Sequence, residues 1–253
     1  MKYIVLALSV LLVSTEALAT PGLFNTHFDN GRYAEAASEA EATQTADGLA
    51  FAARSKLALA MTESDFDPSE ALILESEALA RRALNMDPLH AEGRLQLAIA
   101  LSLRARPLST REAMRSGLGD EAKELATAVL DDNPNNFYAH GFMAVWNIEV
   151  VRRGGSMGAA VMGASVKKAR RHYTAALATN EADASTHWQY ARALAALNAK
   201  KYRSEIETSL QAALAIDTSN ALDRTMQDRA LTLQSALNTD SRRDVEKLAA
   251  RML

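Results

Sequence analysis

The sequence predicts an all-α protein, and three observations carry this prediction. Ala and Leu are abundant, while the 253-residue chain holds only 11 Gly and 5 Pro, and this composition favours helices. After the first 19 residues, apolar side chains recur at spacings of three and four rather than two, which is the periodicity of a helix. The third observation is a joint between helices that recurs four times along the chain.

The first 19 residues resemble a signal peptide. Lys2 precedes an apolar run over residues 3–13, and Ala17-Leu18-Ala19 has the small residues that precede a cleavage site. The run is about a dozen residues long, whereas about 20 are needed to span a bilayer. We therefore expect cleavage after Ala19 and export to a bacterial periplasm, or secretion, with an uncleaved N-terminal anchor as the alternative. Cysteine is absent, so stability must come from packing and no thiol is present for lipid attachment. The net charge of −3 argues against a nucleic-acid binder.

The recurring joint begins with a small residue followed by Leu and ends where a new helix opens. Because only a small side chain lets two helix backbones approach closely, we expect the first position to be buried. A short polar residue follows, which we expect to end one helix and cap the next. The small residues are Ala83, Val129, Ala176 and Ala213; the polar residues are Asp87, Asn133, Asn180 and Asp217; the next helices open near Ala91, Phe137, Ala184 and Ala221.

These joints, together with Gly31-Arg32-Tyr33-Ala34-Glu35-Ala36 near the N-terminus, resemble the tetratricopeptide repeat family. The resemblance covers roughly residues 24–237. It implies a right-handed helical-repeat solenoid of about five helix pairs within residues 20–237. A capping helix is predicted at 238–253, where Val245, Leu248, Ala249 and Met252 share one face.

The repeats depart from the family in their length. The family repeats every 34 residues, but the joint positions 88, 134, 181 and 218 are 46, 47 and 37 residues apart. The excess lies in two insertions, at 105–119 and 152–166. Ser109 and Glu112 have the spacing of a capping box, which predicts a short helix in the first insertion. The glycines between Gly154 and Gly163 in the second predict a mobile loop or lid.

The sequence contains no recognisable catalytic motif. It has no Cys, no G-x-S-x-G and no HExxH, so two nucleophile classes and the helical zinc site are not indicated. His140 and His187 occupy equivalent positions in matched helices, and a buried, hydrogen-bonded His is favoured over a metal ligand there. We therefore predict a protein without catalytic residues, metal or cofactor, while an enzyme of unrecognised type stays open.

The resemblance also implies a binding surface, because the first helix of each pair lines a concave groove in this family. Carried over, the groove positions combine aromatic residues with arginines, which suits an extended peptide or a carboxylate-bearing ligand. The alternative is that Tyr138 and Trp188 fill gaps in the core. The groove residues are Tyr138, Ser185, Trp188, Arg192, Arg229 and Glu92, with Leu95 beside them.

Two functions fit these features. The first is an exported adaptor that holds a protein or peptide in its groove, with Arg192 and Arg229 selecting acidic groups and Trp188 and Tyr138 supplying apolar area. The second is a small-molecule-binding accessory component of a solute-uptake system, since some similar helical-repeat proteins accompany the binding proteins of TRAP transporters. A closed cavity favours the second function, and an open groove favours the first. The partner and the oligomeric state stay open.

Overall fold

The structure is a computed structural model that describes residues 23–63, 67–179, 181, 183–218 and 220–252. Within these ranges the chain forms helices and no strand, which confirms the all-α prediction. The predicted leader at 1–19 and the joint residue Asn180 lie outside the described residues. None of the described helices is long and apolar enough to cross a membrane.

The helices follow one another with short connections. In chain order they are α1 (Leu23–Asp29), α2 (Tyr33–Ala42), α3 (Ala46–Glu63), α4 (Glu70–Met86), α5 (Ala91–Ala105), α6 (Thr110–Ser116), α7 (Leu118–Asp132), α8 (Phe137–Met162), α9 (Val166–Leu177), α10 (Ala184–Asn198), α11 (Arg203–Ala215), α12 (Ala221–Thr239) and α13 (Arg242–Arg251).

The four joints lie where the sequence placed them. The helices after them open at the four predicted residues: Ala91, Phe137, Ala184 and Ala221. The small residues before them are 0–1% exposed, because each lies where two helices meet.

Asp87 and Asn133 end their helices as predicted, but the prediction that the polar joint residues also cap the next helices is wrong. The side chains that cap the new helices are those of His90, Asn136, Asp183 and Asn220, each directly before its helix. A cap must reach the N–H groups of the first turn, and only the adjacent residue does so. Asp87 instead accepts a hydrogen bond from Leu89 N within the turn.

Five helices form an inner ring. Helices α3, α5, α8, α10 and α12 contact one another in that order, and α12 returns to contact α3 and α1. The helices α4, α7, α9 and α11 pack on the outside of this ring through contacts with α3, α5, α8 and α10. The chain therefore closes on itself and leaves a space between its inner helices.

Two contacts seal the ring where its ends meet. Arg229 on α12 donates through Nη2 to the carbonyl of Met61 near the end of α3. Gly31 has a φ of 77°, and a Cβ there would lie 3.0 Å from Cβ of Ala221. Only glycine satisfies both the left-handed backbone and this close approach.

Both insertions are helical. The first contains α6, which begins with the predicted capping box of Ser109 and Glu112 and ends at Gly117, with a φ of 70°. The second was predicted as a mobile loop, and this is wrong. Helix α8 continues through it to Met162 and bends at Gly155, where φ is 59° and ψ is −158°. The Ala-rich sequence after Gly155 resumes the helix because it contains good helix formers.

The C-terminal helix packs its apolar face inward. Val245, Ala249 and Met252 are 0–2% exposed, and α13 lies against α10 and α12. Helix α12 runs to Thr239, so the boundary between these helices falls two residues later than predicted.

Candidate functional site

The inner ring surrounds a cavity of about 670 Å³ that is partly open to solvent. Its wall includes residues from all five inner helices and from α6. The cavity is elongated: Glu92 and Arg106 both line it and are about 21 Å apart along α5, whereas a sphere of this volume would be about 11 Å across. The shape suits a long, narrow molecule.

The middle of the cavity is apolar. Leu95 and Ile99 face it from α5, and Phe142, Val145 and Trp146 face it from α8. Trp146 is only 6% exposed, and its indole N–H donates to the carbonyl of Gly119 over 3.1 Å. Its polar atom is thus satisfied, which leaves the ring as apolar wall. When an apolar ligand covers such a surface, the free energy falls because apolar area of both is removed from water.

One end of the cavity carries four arginines around a single carboxylate. We call this group the arginine cluster; it consists of Arg106, Arg152, Arg153, Arg192 and Glu149, all of which line the cavity.

Glu149 lies at the centre of the arginine cluster. Arg152 Nη2 lies 2.7 Å from its Oε2, and Arg192 Nη2 lies 3.1 Å from its Oε1. Burial raises the pKa of Glu149, but the nearby arginines outweigh this effect and hold the pKa below its usual value. The glutamate is therefore ionised at neutral pH and offsets one of the four positive charges.

The arginines also fix the surrounding backbone. Arg106 Nη2 donates to the carbonyls of Ala250 and Met252, 2.7 Å from each, and so holds the end of α13. Arg153 Nη1 donates to the carbonyl of Ala105 over 3.0 Å. Burial and the neighbouring guanidinium of Arg192 lower the pKa of Arg106 to about 10. This repulsion shows that positive charge is concentrated at this end of the cavity.

The opposite end carries mostly negative charge. We call it the acidic mouth; it consists of Glu92, Glu181 and Asp183 with Arg54 and Tyr138, all in the cavity wall. It lies where α5, α8 and α10 begin. Tyr138 is 48% exposed; its partial burial raises its pKa to about 12, and the carboxylate of Asp183 adds to this effect. Arg54 Nη1 lies 3.9 Å from Glu92 Oε1, so it offsets only part of the acidic charge.

Four of the six predicted groove residues line the cavity. Tyr138, Ser185 and Glu92 lie at its acidic mouth, near the starts of their helices, and Arg192 lies in the arginine cluster. Leu95, predicted beside them, is also part of the wall. They face the interior of a closed ring rather than an open groove.

Trp188 and Arg229 do not line the cavity. Trp188 is 0% exposed in the core between α10 and its neighbours, so the prediction that it offers apolar area to a partner is wrong. Arg229 is 4% exposed and joins α12 to α3, so it is not placed to select acidic groups. The positions implied by the repeat therefore do not transfer from one helix to the next: Leu95 and Trp188 both lie four residues after their helix starts, but only Leu95 lines the cavity.

The sequence pattern did not single out Arg106 or Glu149. Each is one charge among many, and neither occupies a groove position implied by the repeat pattern. The positions of the arginines in the sequence offer a partial signal. Arg106 lies near the start of the first insertion, and Arg152 and Arg153 lie at the start of the second. Long insertions that both begin with arginines could have indicated a shared site.

The histidines take structural positions. His187 is 6% exposed, and its Nδ1 lies 2.6 Å from the hydroxyl of Tyr173. The Nδ1 atoms of His140 and His172 lie 3.0 Å apart. Burial and the neighbouring His140 lower the pKa of His172 to about 4, so His172 is neutral at pH 7. No group of three or more metal-ligating side chains occurs in the described part of the chain.

Comparisons with known proteins found no matching family model, no matching curated protein and no matching solved structure.

Proposed function

We propose that this protein binds a small, largely apolar molecule inside the ring and has a binding rather than a catalytic role. The closure of α12 onto α3 carries this proposal. A ring with an apolar interior of about 670 Å³ has the size of a small-molecule site, whereas an extended peptide needs an open groove. This role fits the small-molecule component of a solute-uptake system.

A cavity-filling substitution tests the proposal. Ser102 is half-buried in the cavity wall on α5, so Ser102→Phe places a ring in the cavity without changing charge. Ser204 is exposed on α11, and Ser204→Phe is the matched control. The probe is N-phenyl-1-naphthylamine, an uncharged dye whose fluorescence rises in apolar surroundings. We expect the wild type and Ser204→Phe to bind it equally, and Ser102→Phe to bind at least tenfold more weakly. Equal binding by all three folded proteins would contradict the proposal.

A peptide- or protein-binding adaptor is the second candidate. It is favoured by exposed apolar side chains around the two insertions: Met114 is 53% exposed, Met157 80% and Val161 69%. Such residues often mark contact surfaces. Capture of one defined protein by the wild type, lost in Met157→Ser/Val161→Ser, would favour the adaptor.

The repeat family and the export of the chain are also proposals. We propose that the helix pairs are degenerate tetratricopeptide-like repeats, supported by the four matched joints and their buried small residues. We further propose export to the periplasm, or secretion, with cleavage after Ala19, supported by the composition of residues 1–19. N-terminal sequencing of the mature protein tests the cleavage site: Thr20 as first residue is expected, and Met1 would contradict it.

A further inference from the structure

The two ends of the cavity differ in charge, and this difference restricts the ligand. The arginine cluster holds four guanidinium groups against the carboxylate of Glu149, and a formal excess of positive charge is left even if Asp120, the remaining carboxylate in the cavity wall, is counted with it. The acidic mouth holds three carboxylates against the single guanidinium of Arg54. A ligand lying along the cavity therefore meets positive charge at one end and negative charge at the other.

Several N–H groups of the arginine cluster make no hydrogen bond among the described residues. A guanidinium has five N–H donors, and within the described residues Arg106 forms its hydrogen bonds through Nη2 only. Arg152 directs Nε and Nη2 to Glu149. The Nε and Nη1 groups of Arg106 and the Nη1 group of Arg152 thus make no hydrogen bond among the described residues. Guanidinium groups bind carboxylates through paired, charge-assisted hydrogen bonds.

The arginines are held in place before any ligand arrives. Arg106 is anchored to the end of α13 by two carbonyls, and Arg152 is anchored to Glu149. Side chains already fixed in position lose little conformational entropy on binding. Their low exposure also strengthens the attraction to an anion, because little water screens it.

The geometry points to an elongated amphiphile with a single carboxylate as the ligand. We infer that its carboxylate lies against Arg106 and Arg152, and that its apolar chain runs past Ile99 and Leu95 toward the acidic mouth. This inference rests on the proposed function, and it adds the chemical class of the molecule. The acidic mouth disfavours a second negative charge at the far end of the chain, since Glu92 and Asp183 would repel it.

Four probes with the same twelve-carbon chain test this inference: dodecanoate, dodecanol, dodecyltrimethylammonium and dodecanedioate. Their dissociation constants are measured by isothermal titration calorimetry with the full chain. We expect dodecanoate to bind at least tenfold more tightly than dodecanol and dodecyltrimethylammonium. We expect dodecanedioate to bind more weakly than dodecanoate.

Three arginine variants locate the head group. Arg106→Gln and Arg152→Gln should each reduce the preference for dodecanoate over dodecanol at least fivefold, while dodecanol binding stays unchanged. Arg152→Gln leaves the contacts of Arg106 with α13 intact, so it tests the head group even where Arg106→Gln impairs folding. Arg82→Gln is the matched control, because Arg82 is exposed and paired with Glu41 outside the cavity; it should behave as the wild type.

The outcomes separate this inference from the proposed function. Equal binding of dodecanoate and dodecanol would overturn the inference and leave the apolar cavity as the binding site. Tightest binding of dodecyltrimethylammonium would overturn it by placing the head group at the acidic mouth. Failure of all four probes would also overturn it. If the uncharged dye still binds, the proposed function stands; if the dye fails as well, both are contradicted.

Discussion

Two carboxylates in the wall of the same cavity have pKa values that shift in opposite directions. Burial tends to raise the pKa of both Glu149 and Asp183. At Glu149 the arginines Arg192 and Arg152 reverse this effect, and the pKa falls below its usual value. At Asp183 the hydrogen bond from Thr186 and the charge of Arg54 only reduce it, and the pKa stays raised.

This difference shows that the composition of the surroundings, rather than burial alone, sets the direction of the pKa shift at each end. Glu149 stabilises the fold when ionised because it separates guanidinium groups that would otherwise repel one another. Asp183 lies near Asp223 on α12, so its ionised form opposes folding. The ionised carboxylate of Glu149 therefore raises the stability of the fold, whereas the ionised carboxylate of Asp183 lowers it.

The largest expected effect is that of Glu149→Gln. The substitution leaves the guanidinium groups of Arg152 and Arg192 without their partner in a site where Glu149 is 24% exposed. Removing one partner of a largely buried ion pair costs about 3 kcal/mol. We expect a loss of that size in the free energy of unfolding at pH 7, measured by urea denaturation. A loss below about 1 kcal/mol would mean that the cluster does not depend on its carboxylate.

The pH dependence of this loss follows from the lowered pKa of Glu149. The stabilisation is complete above pH 4.5, the usual pKa of the group, and disappears as the pH falls through the lower pKa of the folded state. The difference in unfolding free energy between the wild type and Glu149→Gln should therefore narrow below pH 4.5. Urea denaturation at pH 7, 5, 4 and 3 would check this, and a difference that widens toward acid pH would contradict it.

Asp183→Asn should have a smaller effect of the opposite sign. Asp183 caps α10 by accepting a hydrogen bond from Thr186 N over 2.6 Å, and Asn caps helices about as well. Because a raised pKa means that the ionised form opposes folding at neutral pH, the variant should gain up to about 1 kcal/mol at pH 7. The gain should vanish as the pH falls toward 3.8, the usual pKa of the group. A clear loss of stability in thermal melts at pH 7 would show that the charge is needed there.

The smallest expected effect is that of Glu92→Gln at the acidic mouth. Glu92 and Arg54 are each 38% exposed and 3.9 Å apart, and exposed pairs contribute little. We expect a change below about 0.5 kcal/mol in the unfolding free energy. Glu92→Gln makes the same chemical change as Glu149→Gln, so it is the matched control for that variant. Equal losses for the two variants would remove the contrast between the ends of the cavity.

The local structure could be predicted from the sequence because its signals are local. The joint that begins with Ala83 fixed the start of α5 at Ala91, and the Ser109 capping box fixed the start of α6. Local signals can also be ambiguous: Asp67 and Pro68 resemble a helix start, but α4 is capped by Ser69. The helical course of α8 beyond Gly155 was missed, because one glycine in a left-handed conformation bends a helix without ending it.

The cavity could be predicted only in part. Helix starts placed Glu92, Tyr138 and Ser185 correctly in its wall, since these positions repeat with the helices. The closure of the ring includes the hydrogen bond from Arg229 to Met61, which are 168 residues apart, and no local pattern encodes such a contact. The arginine cluster depends on the same closure, because it joins α5, α8, α10 and α13 at one point.

The inferred ligand is an anionic amphiphile that lies inside the ring with its head group at the arginine cluster. A crystal structure of the full chain with 12-bromododecanoate tests this most directly, because the anomalous signal of bromine marks the end of the chain. We expect the carboxylate within hydrogen-bond distance of Arg106 and the bromine beyond Leu95, toward Glu92. Bromine among the arginines, or a ligand bound outside the ring, would contradict it.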